Sequence, residues 1–275
     1  MESALWEEQH FGDARGLRRF WRKLGAGGAL ENVRNGDRQA ARLCDLVLVP
    51  TQDDRNRLAA LMGDAREAAR IRIVPNIAPA WALEGLSAAR GCRETVRRLL
   101  FVGHLRYAPN VDAIDMLLHR IWPRVRSQFP DLRLVIAGRN PKRRIRRWIE
   151  AQEGVELIAD PPSLGEVYDA CDAVVVPLRL GGGSRLKVLE ALAVGLPVIA
   201  TAKAVEGLDL VEGRHWLRAE TPEDCVAALR KLGRDQPLRE RLIGEGRALI
   251  GERFTERALE QTLTPIISGL FEDPR

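Results

Sequence analysis

Arg185, Lys187 and Glu190 directly follow the run Gly181-Gly182-Gly183-Ser184. The glycines and the two cations suit an anion. Glycines let a phosphate approach the backbone, and a helix start presents free N–H groups to it. The two cations stand where the helix macrodipole disfavours positive charge, which makes sense if an anion is expected beside them. A surface ion pair between Lys187 and Glu190, three positions apart on one helix face, is the competing use of that spacing.

Such a turn must sit between a strand and a helix. Ala173-Val174-Val175-Val176-Pro177-Leu178 reads as a buried strand, and Leu186 to Ala193 has the apolar period of a packed helix. The pair belongs to an alternating series. Strands are expected at 98–103, 132–138, 155–158, 173–178, 197–201 and near 215–217, with helices at about 110–128, 141–152, 163–170 and 184–194. Alternation of this kind predicts an α/β fold with a doubly wound parallel sheet and ligands at the carboxyl ends of its strands. Three helices follow at about 222–233, 235–251 and 255–271, opened by Thr221-Pro222-Glu223 and by Thr255.

Ahead of this series, residues 1–43 suggest two helical pieces broken around Gly25-Ala26-Gly27-Gly28 and offer no strand. Asp45 to Pro50 reads as a strand, followed by a helix capped by Thr51 or Asp53 and running to Met62, then a strand from Ile71 ended by Pro75-Asn76. Residues 77–94, punctuated by Pro79, Gly85 and Gly91, read as a linker.

The 275 residues suffice for a sizeable core. A net charge of +5, from 43 basic and 38 acidic residues with only 5% aromatics, gives no basic stripe interleaved with aromatics, so a specific nucleic-acid partner is not expected. The densest basic cluster, Lys142-Arg143-Arg144-Ile145-Arg146-Arg147, reads as the solvated face of a helix, with attraction to anionic lipid head groups or a phosphorylated acceptor as the alternative. Cys44, Cys92, Cys171 and Cys225 have no metal-ligand spacing and read as reduced thiols. No signal pattern and no apolar run of membrane-spanning length is seen. The expected location is therefore cytoplasmic, with the inner membrane face as a peripheral alternative.

A dinucleotide fingerprint requires G-x-G-x-x-G after the first strand of its unit and an acidic residue about twenty positions later. The turn at 181–183 meets neither condition, and no Gly-Lys-Ser/Thr completes a Walker loop.

The ordered set Phe101-Val102-Gly103, Pro109-Asn110-Val111-Asp112, Leu134 to Gly138, Asp172 to Leu178, Gly181 to Glu190 and Ala191 to Thr201 resembles the C-terminal nucleotide-sugar domain of group-1 (family-4-like) glycosyltransferases over about residues 95–265. Asp45 to Asn76 resembles only the end of that family's N-terminal domain. The resemblance implies a GT-B fold, two Rossmann-like domains facing a cleft. It divides the chain into a partial acceptor-side piece (1–78), a linker (79–94), a nucleotide-sugar-binding domain (95–253) and a C-terminal crossing helix and tail (254–275).

It implies transfer of a sugar from a nucleoside-diphosphate sugar, usually with retention at the anomeric carbon and with no cofactor or obligatory metal. Glu190 matches the second of a glutamate pair separated by seven residues, which binds the donor's ribose hydroxyls. The first of that pair falls on Gly182. Gly183 and Ser184 match the segment whose amides hold the pyrophosphate, Gly103 matches the turn facing the donor across the cleft, and Gly138 and Arg139 lie near the base. The family's basic pair falls on His104 and Pro109. Arg185 and Lys187 are therefore the expected catalytic cations beside the leaving diphosphate, and His104 a further phosphate contact.

Three readings follow: a glycosyltransferase acting on an unknown glycan, lipid or protein acceptor; a nucleotide-binding or regulatory module without transfer, because the acceptor half is incomplete; and, more weakly, a Rossmann dehydrogenase. Leu259, Leu263, Ile266 and Leu270 on the last helix are expected to face a partner, either a second copy or a missing-domain polypeptide.

Overall fold

The computed structural model describes residues 26–87, 95–181 and 185–272. These group into two units. One holds the described residues up to Asn76, Leu180 and Gly181, and those from Glu256 onward; the other comprises Ile77–Arg179 and Arg185–Thr255.

In the first unit, helix α1 (Ala26–Leu43) precedes β1 (Val47–Val49), α2 (Gln52–Met62), α3 (Ala65–Ala68) and β2 (Ile71–Ile73). α1 runs through Gly27 and Gly28, where a break was expected; residues 1–25 lie outside the described residues. β1 and β2 pair in parallel, Val47 opposite Ile71. Thr51 caps α2, its hydroxyl accepting from the Asp54 amide at 3.1 Å. Ala41, Val49, Leu58, Met62 and Ile71 form a small core.

The second unit opens with a helix where a linker was expected. Within the expected linker, Ala80–Ser87 form helix α4, and Ala78 and Ala82 are wholly buried in the larger core. A glycine within a helix costs about 1 kcal/mol, and this outlay at Gly85 is outweighed because α4 packs on the helix that follows the glycine turn.

β3 (Arg98–Val102) leads to α5 (Ala108–Met116), a π-helical turn (Leu117–Ile121) and α6 (Trp122–Gln128), which together fill the expected helix 110–128. β4 (Arg133–Gly138), α7 (Arg143–Glu150), β5 (Val155–Ala159), α8 (Leu164–Asp169), β6 (Ala173–Val176), α9 (Leu186–Val194), β7 (Val198–Ala200), α10 (Ala202–Val205), β8 (Leu217–Arg218), α11 (Pro222–Arg234) and α12 (Gln236–Arg253) complete the unit. α13 (Glu256–Glu272) belongs to the first unit.

The six strands lie in the order β5-β4-β3-β6-β7-β8, and every neighbouring pair is parallel. Counted within the sheet this is 3-2-1-4-5-6, the doubly wound Rossmann order. Buried on both faces, its central strands read as the near-continuous apolar runs found in the sequence; Leu99, Leu100 and Phe101 of β3 are fully buried, and all four residues of β6 are at most 1% exposed. At the amino end of these strands, one Asp172 oxygen accepts from the amides of Arg97 at 2.8 Å and Arg98 at 2.7 Å, which pins the start of β6 beside that of β3.

α7 carries the basic cluster. Ile145 and Ile149 are buried while Lys142, Arg143, Arg144, Arg146 and Arg147 are exposed, and the Arg144 guanidinium lies 4.2 Å from the Trp148 ring centroid. Of the residues expected to face a partner on α13, Leu259, Leu263 and Ile266 are half-buried and Leu270 is 45% exposed.

α11 begins with a capping box: the Thr221 hydroxyl accepts from the Asp224 amide, and the Asp224 carboxylate accepts from the Thr221 amide. Thr221→Ala is expected to lower stability by about 1 kcal/mol. The measurement is a urea melt, in which the midpoint falls at unchanged slope; an unchanged midpoint would mean that water serves those amides equally well.

Candidate functional site

The strand order reverses between β3 and β6, and in an open α/β sheet the crevice beyond the carboxyl ends of those strands is where ligands bind. Asn110, in the first turn of α5 after β3, and Lys187, in the first turn of α9 after β6, meet across that point. The Lys187 ammonium donates to Asn110 Oδ1 at 2.5 Å, and Asn110 Nδ2 donates to the His104 carbonyl at 3.1 Å. Nζ also lies 4.8 Å from the centroid of the Phe101 ring. A second tie spans the same point: Arg179, after β6, grips the Asp112 carboxylate on α5 with two bonds of 3.1 and 2.6 Å.

Glu190 sits one turn further along α9 and is 9% exposed. Its Oε2 accepts from the fully buried Tyr168 hydroxyl at 2.7 Å. The competing surface ion pair is not the arrangement found: Lys187 turns to Asn110 and Glu190 to Tyr168. Burial pushes the Glu190 carboxyl up, against the Tyr168 hydrogen bond and the nearby Lys187 charge, which pull it down. Burial, with the Arg185 charge, brings Lys187 down to about 7, and Glu190 opposes that shift. Burial and then the adjacent Glu190 hold the Tyr168 phenol well above its ordinary value, so it stays a donor.

Arg185 lies just before α9 rather than inside its first turn, because the helix begins at Leu186 instead of 184. Its φ of +48° places a non-glycine residue in the left-handed region, a conformation that costs energy and persists only where its surroundings impose it. Those surroundings include Glu206, whose Oε2 accepts from Arg185 at 3.1 Å and from Lys203 at 2.6 Å. Two cations, Arg185 and Lys203, thus share this carboxylate beyond β6 and β7.

Gly103 and Gly138 have a packing reason to be glycine. A Cβ on Gly138 would stand 1.7 Å from the Gly103 carbonyl oxygen, and one on Gly103 would stand 2.6 Å from Asn110 Nδ2. The loops after β3 and β4 touch here, joined by a 2.9 Å bond from the Leu105 amide to the Arg139 carbonyl. His104 is exposed, its Nε2 3.4 Å from Asn140 Nδ2, and the Arg139 side chain is also exposed. Pro109 is buried in α5. Gly182, Gly183 and Ser184 lie outside the described residues, as does Cys92. Among the described residues, no cluster of His, Cys, Asp and Glu could hold a metal ion, and no helix is long and apolar enough to cross a membrane.

Two members of this constellation carry no assignment from sequence. Asn110 lies within a motif that marks the domain, but nothing in one dimension pairs it with Lys187. Tyr168 reads as an ordinary inward position of α8; the one clue is a hydroxyl that must find a partner once buried.

A family model, Glycosyl transferases group 1, matches residues 96–235. The chain belongs to that family. A Klebsiella pneumoniae relative, described as an uncharacterized 44.6 kDa protein in the cps region, is 32% identical over 129 residues, which are 44% of this chain and 33% of the relative.

Solved structures share the fold. S. aureus TarM superposes with a TM-score of 0.68 at 18% identity over 85% of this chain and 44% of its own. Anabaena HepE in complex with UDP and glucose gives 0.65 at 14% identity over 86% and 67%, and sucrose-phosphate synthase from Thermosynechococcus elongatus gives 0.64 at 20% identity over 88% and 62%. The six-stranded parallel sheet thus belongs to a GT-B glycosyltransferase architecture. The chain spans about a third of the length of its Klebsiella relative and 44% of TarM.

Proposed function

We propose that this glycosyltransferase chain binds a nucleoside-diphosphate sugar at the β3/β6 switch point and takes part in transfer of the sugar, with retention, to a glycan, lipid or protein acceptor. The observation that carries the reading is the Lys187–Asn110 hydrogen bond across that switch point, with Glu190 one turn along the same helix and held by Tyr168. HepE has been solved with UDP-glucose and TarM with UDP, which makes a uridine diphosphate the first donor to test.

Each group then has a task. Glu190 accepts hydrogen bonds from vicinal ribose hydroxyls. Gly183 and Ser184 offer backbone amides to the pyrophosphate. Gly103 and Gly138 keep the loops after β3 and β4 close together, with His104 and Arg139 on their exposed rim. As the acceptor hydroxyl attacks the anomeric carbon, the bond from that carbon to the β-phosphate oxygen breaks and its electron pair stays on the diphosphate; the hydroxyl proton leaves to the phosphate or to water. A cation fixed beside the diphosphate is worth most at that moment. Lys187 is the cation best placed for it, with Arg185 and Lys203 gathered on Glu206 nearby in the fold. No resident cofactor enters this scheme.

The test is calorimetric titration of the full chain with UDP, GDP, ADP and NAD. Saturable binding of one diphosphate between micromolar and millimolar is expected; binding of NAD alone would favour a dehydrogenase. Gly182 stands where a sugar-contacting carboxylate would otherwise be, and it favours a second reading, a module that binds nucleotide without transfer. Release of UDP from UDP-glucose in the presence of acceptor extracts separates the two.

A further inference from the structure

We infer that Tyr168 is a positioning residue that sets the Glu190 carboxylate to receive ribose hydroxyls, and thereby fixes a preference for ribonucleotides over 2′-deoxyribonucleotides; this rests on the reading of Glu190 as the ribose acceptor. Tyr168 comes from α8, on the far side of β6 in sequence from the helix that carries Glu190. Its hydroxyl reaches Glu190 Oε2 at 2.7 Å, with the Lys187 carbonyl 3.4 Å away. The ring cannot swing aside. It is fully buried, and the Trp81 ring of α4 packs on it with centroids 5.4 Å apart at an interplanar angle of 40°.

A carboxylate held at one oxygen has lost its rotational freedom before any ligand arrives. Glu190 Oε1 has no hydrogen-bond partner among the described residues, so the tie directs the open oxygen, and the remaining lone pair of Oε2, at the incoming hydroxyls. The same helix that keeps the tyrosine still, α4, occupies the stretch that reads in sequence as a linker. Removing the hydroxyl while keeping the ring leaves the carboxylate in place but free to turn. The loss should fall on ligands with both ribose hydroxyls and spare those lacking one.

The experiment compares UDP with 2′-deoxy-UDP, or the corresponding pair of whichever base binds more tightly, on the full chain. Wild type is expected to prefer the ribonucleotide by about tenfold. In Tyr168→Phe the preference should fall below about threefold, with affinity for the deoxynucleotide changed less than about twofold. Glu190→Gln should lose most of the preference too. No preference in wild type overturns the ribose reading of Glu190 itself. A wild-type preference that Tyr168→Phe retains overturns the positioning role and leaves the Glu190 reading standing.

A second measurement requires no variant. The chain has two tyrosines, so ring-labelled protein gives two 13Cζ signals. The Tyr168 signal should move more on binding UDP than on binding 2′-deoxy-UDP, and equal movements would overturn the inference.

Discussion

Lys187→Met is expected to weaken UDP binding by about 30- to 100-fold while leaving the fold as stable as before or more so. The ammonium is held by a neutral partner, Asn110 Oδ1, and no carboxylate among the described residues lies within hydrogen-bond distance of it. Its charge is therefore available to a diphosphate, and a charge-assisted hydrogen bond of this kind contributes about 1.5–3 kcal/mol. Methionine keeps an unbranched apolar chain of similar length and removes the donor and the charge that lies over the Phe101 ring. Stability does not fall, because burial disfavours the ammonium, as its downward shift to about 7 records. Calorimetry with UDP and uridine separates the contributions: uridine, which has no diphosphate, should bind both proteins alike. An unchanged UDP affinity would remove Lys187 from the site.

The same shift gives a pH dependence with a definite sign. With Lys187 titrating near 7, the free protein holds the ammonium below neutrality and loses it above. Affinity for an anion that needs that charge should be flat below pH 7 and fall by up to about tenfold per unit above it, until the higher value reached in the complex. UDP-glucose is the better ligand for this profile, since a diphosphate esterified at both ends does not itself titrate there. Proton uptake on binding at pH 8, seen as a dependence of the heat on buffer ionisation, should accompany it. Lys187→Arg, which stays charged, should flatten the profile. For the unliganded protein the folded value lies below the unfolded one, so the unfolded chain binds more protons above pH 7. Its contribution to stability therefore grows as pH rises from 7 towards the ordinary lysine range.

What the sequence makes legible here is what repeats locally. The strand runs at 98–103 and 173–178 are apolar because parallel strands are covered on both faces, and that signal carries straight through to the six-stranded sheet. Thr221 and Thr51 announce their helices because a cap is a contact between residues three apart. The candidate site is legible only as a list of parts. Lys187 and Glu190 look like partners because they are neighbours on one helix. The fold gives each a better partner from 77 and 22 residues away, Asn110 and Tyr168, and no local rule foresees that. Arg185 differs from expectation only in the boundary: the helix begins at Leu186, so Arg185 stands just before its first turn, with Glu206 accepting from it. The stretch 79–94 reads as a linker because Pro79, Gly85 and Gly91 are read as breaks. Burial of Trp81 and Ala82 against elements far along the chain is what makes 80–87 helical.

Gly138→Ala is expected to cost about 3 kcal/mol or more of stability, the largest loss from any single added methyl group at the site. The φ of +154° at this residue already disfavours a side chain, and the added carbon would sit 1.7 Å from a backbone oxygen and 2.9 Å from the Gly103 carbonyl carbon. Neither atom belongs to a flexible side chain that could move off. The loop after β3 must shift as a body, against the Leu105 amide's bond to Arg139 and the Gly103 amide's 3.1 Å bond to Ala137.

Gly103→Ala meets a softer obstacle, the Asn110 side-chain amide at 2.6 Å, so its cost should be about 1–2 kcal/mol. That amide is the one that holds Lys187, and the milder variant should therefore lose UDP affinity out of proportion to its stability. Urea melts and UDP titrations of both variants decide the matter. A Gly138→Ala protein that melts with wild type would mean the two loops do not touch. A Gly103→Ala protein that binds UDP normally would mean Asn110 does not set the position of the Lys187 charge.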